Sequence, residues 1–375
     1  MAAALAWLAL GAAGPALDAD LPVRVPPGYE PQGEAERGLW MIMDRLEQQV
    51  AQSHFVLHDP ALQAYLKDIL CRLAPDYCAE IRIYVLRAPF FNAAMGANGQ
   101  MHIYTGLLLR VRDEAQLAAV MGHELGHYTR AHSLHQRRMH KITLGAANFL
   151  AVGGLGDVAR FLAEMNYPYS RHHERESDEI GTRLMAAAGY DPVAASEVWA
   201  QIAAEGGRKL ARSERRNAFY RTHPTTRERR RTLARRALDL RVEGGKRAVA
   251  RFDAALDPWR VAFLEDQLTL NNFDATHWLI EDLRGQISWP ADLTYLEAEM
   301  YRRRGWQKDR ARALKLFRQA RALGAQAPEI DRGIGLVLLK QGRIAAARAY
   351  LARYLTARPE ASDAAMLRHY LKAEP

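Results

Sequence analysis

The segment that most constrains this chain is HELGH at residues 123–127. Its two histidines are four residues apart, and four residues advance an α-helix by about 400°, so they lie on one face, one turn apart. Two imidazoles at that spacing can bind one Zn²⁺. The surrounding periodicity predicts a helix from Asp113 to about His140, with His123 and His127 as metal ligands.

Glu124 follows the first histidine and can reach a water molecule beside the metal instead of the metal itself. A carboxylate there can take a proton while water attacks a polarised peptide carbonyl, and then pass it to the leaving amine. A five-residue motif of this kind also arises by chance. The alternative to a metal site is a surface helix with two solvated histidines. Val120, Met121 and Leu125 favour a partly buried helix. The segment predicts a zinc metalloendopeptidase with one Zn²⁺ per chain and Glu124 as general base.

A third metal ligand has competing candidates. His132 follows closely, but the metzincin pattern requires glycine at 130 and histidine at 133, where this chain has Arg130 and Ser133. On a continuing helix, His132 also points off the face shared by the ligand histidines, which predicts a solvated side chain. A carboxylate on a later helix is the other solution.

A second predicted helix opens with ERESD at residues 174–178 and runs towards Ala188. Glu174 and Asp178 are four residues apart and face the same way. Glu174 can complete the metal triad, while Asp178 holds a ligand histidine or the reacting group without touching the metal. Glu176 competes by spacing alone, but it lies about 200° around the helix from Glu174.

The N-terminus predicts export. Residues 2–13, AAALAWLALGAA, form an uncharged apolar run of the length of a signal-peptide core, and the small residues up to position 19 offer a cleavage site. The alternative is a buried N-terminal helix, which no amphipathic pattern supports. In an oxidising compartment Cys71 and Cys78 can pair; otherwise they are two buried thiols.

The length of 375 residues exceeds one ordinary core and suits two domains behind the leader at 1–19. Helical patterns at 34–53 and 60–73 and alternating patterns at 81–85 and 101–105 predict helices around a small sheet. We therefore expect a mainly α zincin protease domain of the α+β class over residues 20–247.

From residue 248 onward the chain has no strand signal. Residues 328–359 fit one tetratricopeptide unit with Gly342 in its turn, and a looser copy precedes it. The pattern predicts an all-α tetratricopeptide-repeat domain over 248–375. The alternative is an unrelated helical bundle.

The net charge of +9 is concentrated between residues 208 and 241, where thirteen Lys or Arg face three acids. Such a stretch is compatible with a nucleic-acid surface. No nucleic-acid motif accompanies it, however, and export would separate the protein from nucleic acid. We expect a solvated helical face that can meet an anionic membrane surface, and no nucleic-acid partner.

Together these motifs resemble the HtpX and CAAX-prenyl-endopeptidase family of gluzincin zinc metalloproteases, over about residues 35–375. The resemblance rests on HELGH, on the Glu174 and Asp178 helix behind Ser170-Arg171, on Thr222-His223-Pro224, and on the loop and strand at 92–108. It implies zinc ligation by His123, His127 and Glu174, with Glu124 as catalytic base. It also implies that Asp178 donates a proton or stabilises the transition state.

A leader in front and tetratricopeptide repeats behind are similar to a periplasmic protease and chaperone of Gram-negative bacteria within that family. The resemblance implies a periplasmic endopeptidase that hydrolyses unfolded or misassembled outer-membrane proteins. It also implies repeats that bind the outer-membrane protein assembly machinery. The alternative is chiefly a periplasmic chaperone or scaffold with a latent protease.

Two hypotheses concern the cleft. In such proteases an extended substrate often lies antiparallel to an exposed strand. We assign that strand to Met101, His102, Ile103, Tyr104 and Thr105. His223 is either a solvated or core histidine, or it occupies the open fourth zinc position, which would displace the catalytic water and leave a latent enzyme.

Overall fold

The computed structural model describes residues 25–133, 169–207, 223, 227–240, 242–285 and 289–372. The predicted leader at 1–19 lies outside these residues, as do Thr222 and Pro224. The chain divides into two compact units. The first comprises Met1–Arg87, Phe91–Ala203 and Arg216–Ala255, and the second comprises Ala88–Phe90, Ala204–Arg215 and Leu256–Pro375. The domain limits drawn from the sequence stay a prediction.

Helices dominate the first unit, and one small sheet accompanies them, so the mainly α class with a small β-sheet is confirmed. Its elements are α1 (Gly33–Ala51), α2 (Pro60–Leu73), β1 (Arg82–Leu86), β2 (Ala93–Met95), β3 (Gln100–Tyr104), α3 (Thr105–Leu108), α4 (Glu114–Thr129), α5 (Arg171–Ala187), α6 (Val193–Gly207) and α7 (Arg227–Leu240). Helix α6 and helix α8 (Val249–Thr269) each begin in this unit and end in the second. Within the described ranges, no helix is both long and apolar enough to cross a bilayer.

The sheet has the strand order β1-β3-β2. Strand β3 pairs in parallel with β1 and antiparallel with β2, with Ala94 opposite His102. All five residues of β3 are buried, and both of its edges are already hydrogen-bonded. The assignment of an exposed substrate strand to Met101–Thr105 is therefore wrong, because a central strand has no free edge to offer. Among the described residues β2 has one neighbour, and Thr105 begins α3.

Helix α4 carries HELGH and is buried along its whole length. It packs on α5 with the two backbones in contact. A Cβ atom built on Gly181 would lie 2.8 Å from the main-chain nitrogen of His123, and one built on Gly126 would lie 2.8 Å from the Cα of Ser177. Real Cβ atoms do not approach so closely, so glycine is required at this crossing.

Side chains define where these two helices begin. Asp113 accepts a hydrogen bond from the amide of Gln116 at 2.8 Å and caps α4, while Arg247 holds the same carboxylate at 2.6 Å. Ser170 caps α5 through the amide of His173 at 3.2 Å. Polar N-caps satisfy amides that the first helical turn leaves unpaired. The start of each site-bearing helix is thus fixed by its own sequence.

Helix α4 is shorter than the sequence predicts. It ends at Thr129 rather than near His140, and Ala131 has the left-handed value φ = 58°. Cys71 and Cys78 form a disulfide with a Cα–Cα distance of 4.7 Å, which joins the end of α2 to the turn before β1.

All regular elements in the described part of the second unit are helices. Its further elements are α9 (Phe273–Arg284), α10 (Pro290–Arg304), α11 (Gln307–Ala322), α12 (Glu329–Lys340), α13 (Ile344–Ala357) and α14 (Ala364–Lys372). Gly305 and Gly342 have φ values of 74° and 73° in the turns between α10 and α11 and between α12 and α13. A Cβ on Gly335 would lie 2.6 Å from Leu351, so α12 and α13 pack closely. The tetratricopeptide assignment stays a prediction.

We expect Gly181→Ala to lower the free energy of unfolding by about 1–3 kcal/mol, because the added methyl group must push α4 and α5 apart. Gly38→Ala is the matched control, since a Cβ there meets nothing within 4 Å and alanine favours the helix α1. Urea unfolding followed by circular dichroism measures both. Equal stability of Gly181→Ala and the wild type would contradict the proposed backbone contact.

Candidate metal centre

Four side chains converge in the interior of the first unit. His123 and His127 come from α4, Glu174 comes from α5, and His223 lies four residues ahead of α7; all four are buried. The Nε2 atoms of the two α4 histidines are 3.0 Å apart. His223 places its Nδ1 atom 3.1 Å from His123 Nε2 and 2.8 Å from Glu174 Oε1. Glu174 Oε1 is 3.4 Å from His127 Nε2.

These distances fit a zinc ion. Zinc–nitrogen bonds of about 2.0–2.1 Å put the corners of a coordination tetrahedron about 3.3 Å apart, and the four donor separations lie between 2.8 and 3.4 Å. Burial lowers the pKa of His123 and His127, which favours the neutral imidazoles that bind metal. The predicted ligands are thus together in space, with chemistry that suits zinc.

Asp178 orients one of the ligand histidines. Its Oδ1 atom lies 2.9 Å from His123 Nδ1, on the side of the ring that faces away from the other donors. A carboxylate that accepts the Nδ1 proton fixes the tautomer whose Nε2 lone pair is free for a metal. Asp178 therefore contacts a ligand instead of joining the donor set.

His132 orients the other ligand histidine, so the prediction of a solvated His132 is wrong. It is 2% exposed, with Nδ1 3.0 Å from His127 Nδ1 and Nε2 2.7 Å from Glu176 Oε2. Arg130 forms an ion pair with the same carboxylate. The helical projection failed because α4 has ended and the left-handed Ala131 turns the chain back towards α5.

Arg229 belongs to the site, although the sequence reading placed it on a solvated basic face. It is 6% exposed. Its guanidinium lies 2.6 Å from Glu174 Oε2, makes two bonds of 2.7 and 2.6 Å to Asp178, and stacks 3.8 Å above the ring of Trp199. The sequence signal that could have identified Arg229 as buried is its spacing of four and eight residues from Leu233 and Ala237. These three are the buried residues of α7.

Charge explains why this arrangement tolerates burial. Glu124, Glu174 and Asp178 bring three carboxylates into the interior, beside the single guanidinium of Arg229. A cation bound between them would offset the excess of carboxylates. Burial alone would raise the pKa of Glu174, but the charges of His223 and Arg229 hold it well below its usual value. The carboxylate is thus kept ionised for a metal.

Glu124 has a different environment from the other two carboxylates. Burial raises its pKa to about 7. Its Oε1 atom lies 3.6 Å from His223 Nε2 and makes no hydrogen bond to the residues that the structure describes. For His223, burial lowers the pKa, but the carboxylates of Glu174 and Glu124 outweigh burial and raise it. His223 thus bridges the predicted base and a predicted ligand.

We expect Arg229→Lys to weaken zinc binding by about 10- to 100-fold, because lysine cannot hold Glu174 and Asp178 at once. Arg236→Lys is the matched control on the same helix, since Arg236 pairs with Glu179 at 2.8 Å and contacts no ligand. Competition with a chromophoric chelator measures both affinities. Wild-type affinity in Arg229→Lys would show that this arginine does not position the ligands.

Comparisons with known proteins point the same way. Residues 58–237 match Peptidase family M48. The mitochondrial metalloendopeptidase OMA1 of Schizosaccharomyces pombe is 34% identical over 155 residues, which cover 39% of this chain and 44% of that protein. The protein of the same name from Arabidopsis thaliana is 30% identical over 186 residues, 48% of this chain and 37% of that protein.

A bacterial relative is similar over the same part. The putative beta-barrel assembly-enhancing protease of Vibrio cholerae is 28% identical over 167 residues, 40% of this chain and 34% of that protein. The chain covers less than half the length of each of these three relatives. Metalloproteases of family M48 use zinc, so the predicted enzyme class and cofactor are confirmed. Residues 58–237 are therefore similar to the metalloendopeptidases of Peptidase family M48.

Proposed function

We propose that the chain is a zinc-dependent endopeptidase in which His123, His127 and Glu174 hold the ion and Glu124 is the general base. The position of Glu124 carries this proposal: it is a buried carboxylate that directly follows His123, and its Oε1 atom lies 3.6 Å from His223 Nε2. Its pKa, raised by burial to about 7, also lies near neutral pH. A group with such a pKa can both take and return a proton. Bound zinc would polarise the scissile carbonyl and make water more acidic.

Asp178 acts in this proposal as a positioning residue rather than as the proton donor that the family resemblance implies. Burial would raise the pKa of Asp178, but Arg229 and His123 outweigh it and lower that pKa. Both carboxylate oxygens are already engaged by Arg229. An ionised, fully bonded carboxylate has no proton to give, and its contact with His123 serves to aim the imidazole.

We expect Glu124→Gln to retain one zinc per chain and to lose casein cleavage by at least about 100-fold, because glutamine cannot accept a proton. Zinc is measured by elemental analysis of the purified protein and cleavage by release of soluble peptides. Residual cleavage near the wild-type rate would assign the base to another residue. Loss of zinc together with cleavage would mean that Glu124 holds the ion.

We further propose that His223 occupies the fourth zinc position in a latent form. Its Nδ1 atom is already within 3.1 Å of His123 Nε2 and 2.8 Å of Glu174 Oε1, and its Nε2 faces Glu124. A histidine in that position excludes water from the metal and crowds the general base. Cleavage would then require His223 to leave.

His223→Ala should raise casein cleavage without removing zinc, since three ligands remain. The rate should rise by the inverse of the fraction of open molecules, about tenfold if one molecule in ten is open. Initial rates at equal zinc content measure the effect. A rate that falls, or that equals the wild-type rate, would contradict the latch.

For the substrates, we propose unfolded or misassembled outer-membrane proteins in a periplasm. The support is the similarity to a beta-barrel assembly-enhancing protease, together with the leader-like N-terminus. On this proposal the domain is of the HtpX and CAAX-prenyl-endopeptidase type. Its second unit, with tetratricopeptide repeats, would bind the outer-membrane protein assembly machinery. The basic stretch at 208–241, more than half of which lies outside the described residues, would meet anionic membrane rather than nucleic acid.

Two alternatives follow from specific observations. Relatives named mitochondrial are as similar as the bacterial one, so a mitochondrial location is the rival compartment. Fractionation of the native cells separates the two. A helical second unit also allows a chaperone or scaffold whose protease is latent. That role would survive Glu124→Gln in the cell and would be lost on deletion of 248–375.

A further inference from the structure

The second unit contains a groove of about 890 Å³, and none of the residues that line it belongs to the candidate metal centre. Its walls come mainly from α10, α12 and α14. Most of the side chains that line it fall into two chemical groups, one basic and one apolar.

Five cations line the groove, and no acidic side chain does. They are Arg302, Arg303, Arg310, Arg332 and Lys340. Two acids just outside the lining pair with three of these cations: Glu299 with Arg302 and Arg303, and Asp363 with Arg332. The five positive and two negative charges leave a net charge of +3.

Two of these cations have no acidic partner within the described ranges. Arg310 donates to the main-chain oxygen of Lys340 at 3.0 Å, and the Lys340 side chain is exposed. A cluster of like charges costs free energy through repulsion and is stabilised by an anion that enters it. The groove therefore has charge that the described residues of the second unit do not neutralise.

The apolar group lies towards α14. Ile344, Met366 and Tyr370 are 40%, 48% and 42% exposed, although large apolar side chains usually avoid water. Leu336 and Leu339 of α12 lie beside them and are partly buried against the Leu351 cluster. Exposed apolar side chains that share a concavity mark a binding surface rather than a solvent face.

We infer that this groove binds an extended, acidic peptide segment of a partner protein, with a large apolar side chain seated near Met366. A peptide supplies both chemistries at once, with carboxylates for the cations and an aliphatic or aromatic side chain for the apolar wall. A phosphate backbone offers nothing for Ile344 and Met366 to contact. Methionine adapts its shape, which suits partners of varied sequence.

The inference rests on the proposed partner-binding role of the second unit but not on peptidase activity. Its test therefore uses the full chain carrying Glu124→Gln, so that bound peptide is not cleaved. The probe is a fluorescein-labelled decapeptide of alternating Glu and Leu, and its fluorescence anisotropy is measured during titration. A second decapeptide, with Gln in place of every Glu, reports the contribution of charge.

We expect the Glu decapeptide to bind at least tenfold more tightly than the Gln decapeptide. Lys340→Glu should weaken its binding at least tenfold, and Met366→Ser should weaken both decapeptides. Lys315→Glu is the matched control, because Lys315 is exposed on α11, makes the same charge change and does not line the groove. Circular dichroism of each variant verifies the fold.

Equal effects of Lys340→Glu and Lys315→Glu would overturn the inference, because attraction would then depend on net charge alone. The inference would also be overturned if the Glu decapeptide did not bind the Glu124→Gln chain with an unchanged groove. The same holds if a single-stranded oligonucleotide displaced the probe at a lower concentration than the unlabelled peptide does. Cleavage is measured separately with the wild-type chain, which retains Glu124. Neither outcome of the binding test therefore decides the peptidase proposal.

Discussion

Two helix backbones touch where the metal centre is built, and the site depends on that contact. At Gly126 and Gly181 even a methyl group would lie within 3 Å of the opposite main chain. Such an approach fixes the register as well as the distance, because sliding either helix would drive a side chain into a backbone. His123 and His127 are thereby held against the positions of α5 that carry Glu174 and Asp178.

Electrostatics then assigns a different role to each carboxylate. Arg229 holds both oxygens of Asp178 and one oxygen of Glu174, which keeps these two groups ionised and leaves Glu174 Oε1 facing the histidines. Among the described residues no arginine forms an ion pair with Glu124, and burial raises its pKa to about 7. Neighbouring side chains thus give the carboxylates of one pocket different roles. Glu174 and Asp178 stay ionised and hold the site together, whereas Glu124 can exchange a proton.

Local periodicity predicted the parts of the site that lie within single helices. The i, i+4 spacing placed His123 with His127 and Glu174 with Asp178, and the helical pattern at 60–73 matches α2 as found. Prediction failed where the chain reverses or where distant segments meet. The left-handed Ala131 redirected His132, and the order of β1, β3 and β2 is a non-local pairing that alternation cannot reveal.

Arg229 shows that the average composition of a stretch does not reveal which of its residues is buried. Thirteen basic residues between 208 and 241 favour a solvated face as an average, yet one of them lies on the buried stripe with Leu233 and Ala237. A buried cation is tolerated only beside compensating carboxylates, and those come from α5, some fifty positions earlier. The sequence contains both halves of this pair, but only the fold brings them together.

The segment that leads into α7 contributes two residues with opposite effects on the centre. Arg229 is anchored by the stripe it shares with Leu233 and Ala237, so it organises the ligands as long as α7 stays packed. His223 lies four residues ahead of that helix and is bound to the site through its own ring. In the proposed latch, release of His223 therefore breaks contacts with Glu124 and Glu174 without unpacking α7. The enzyme would open its fourth position while Arg229 keeps the other ligands aligned.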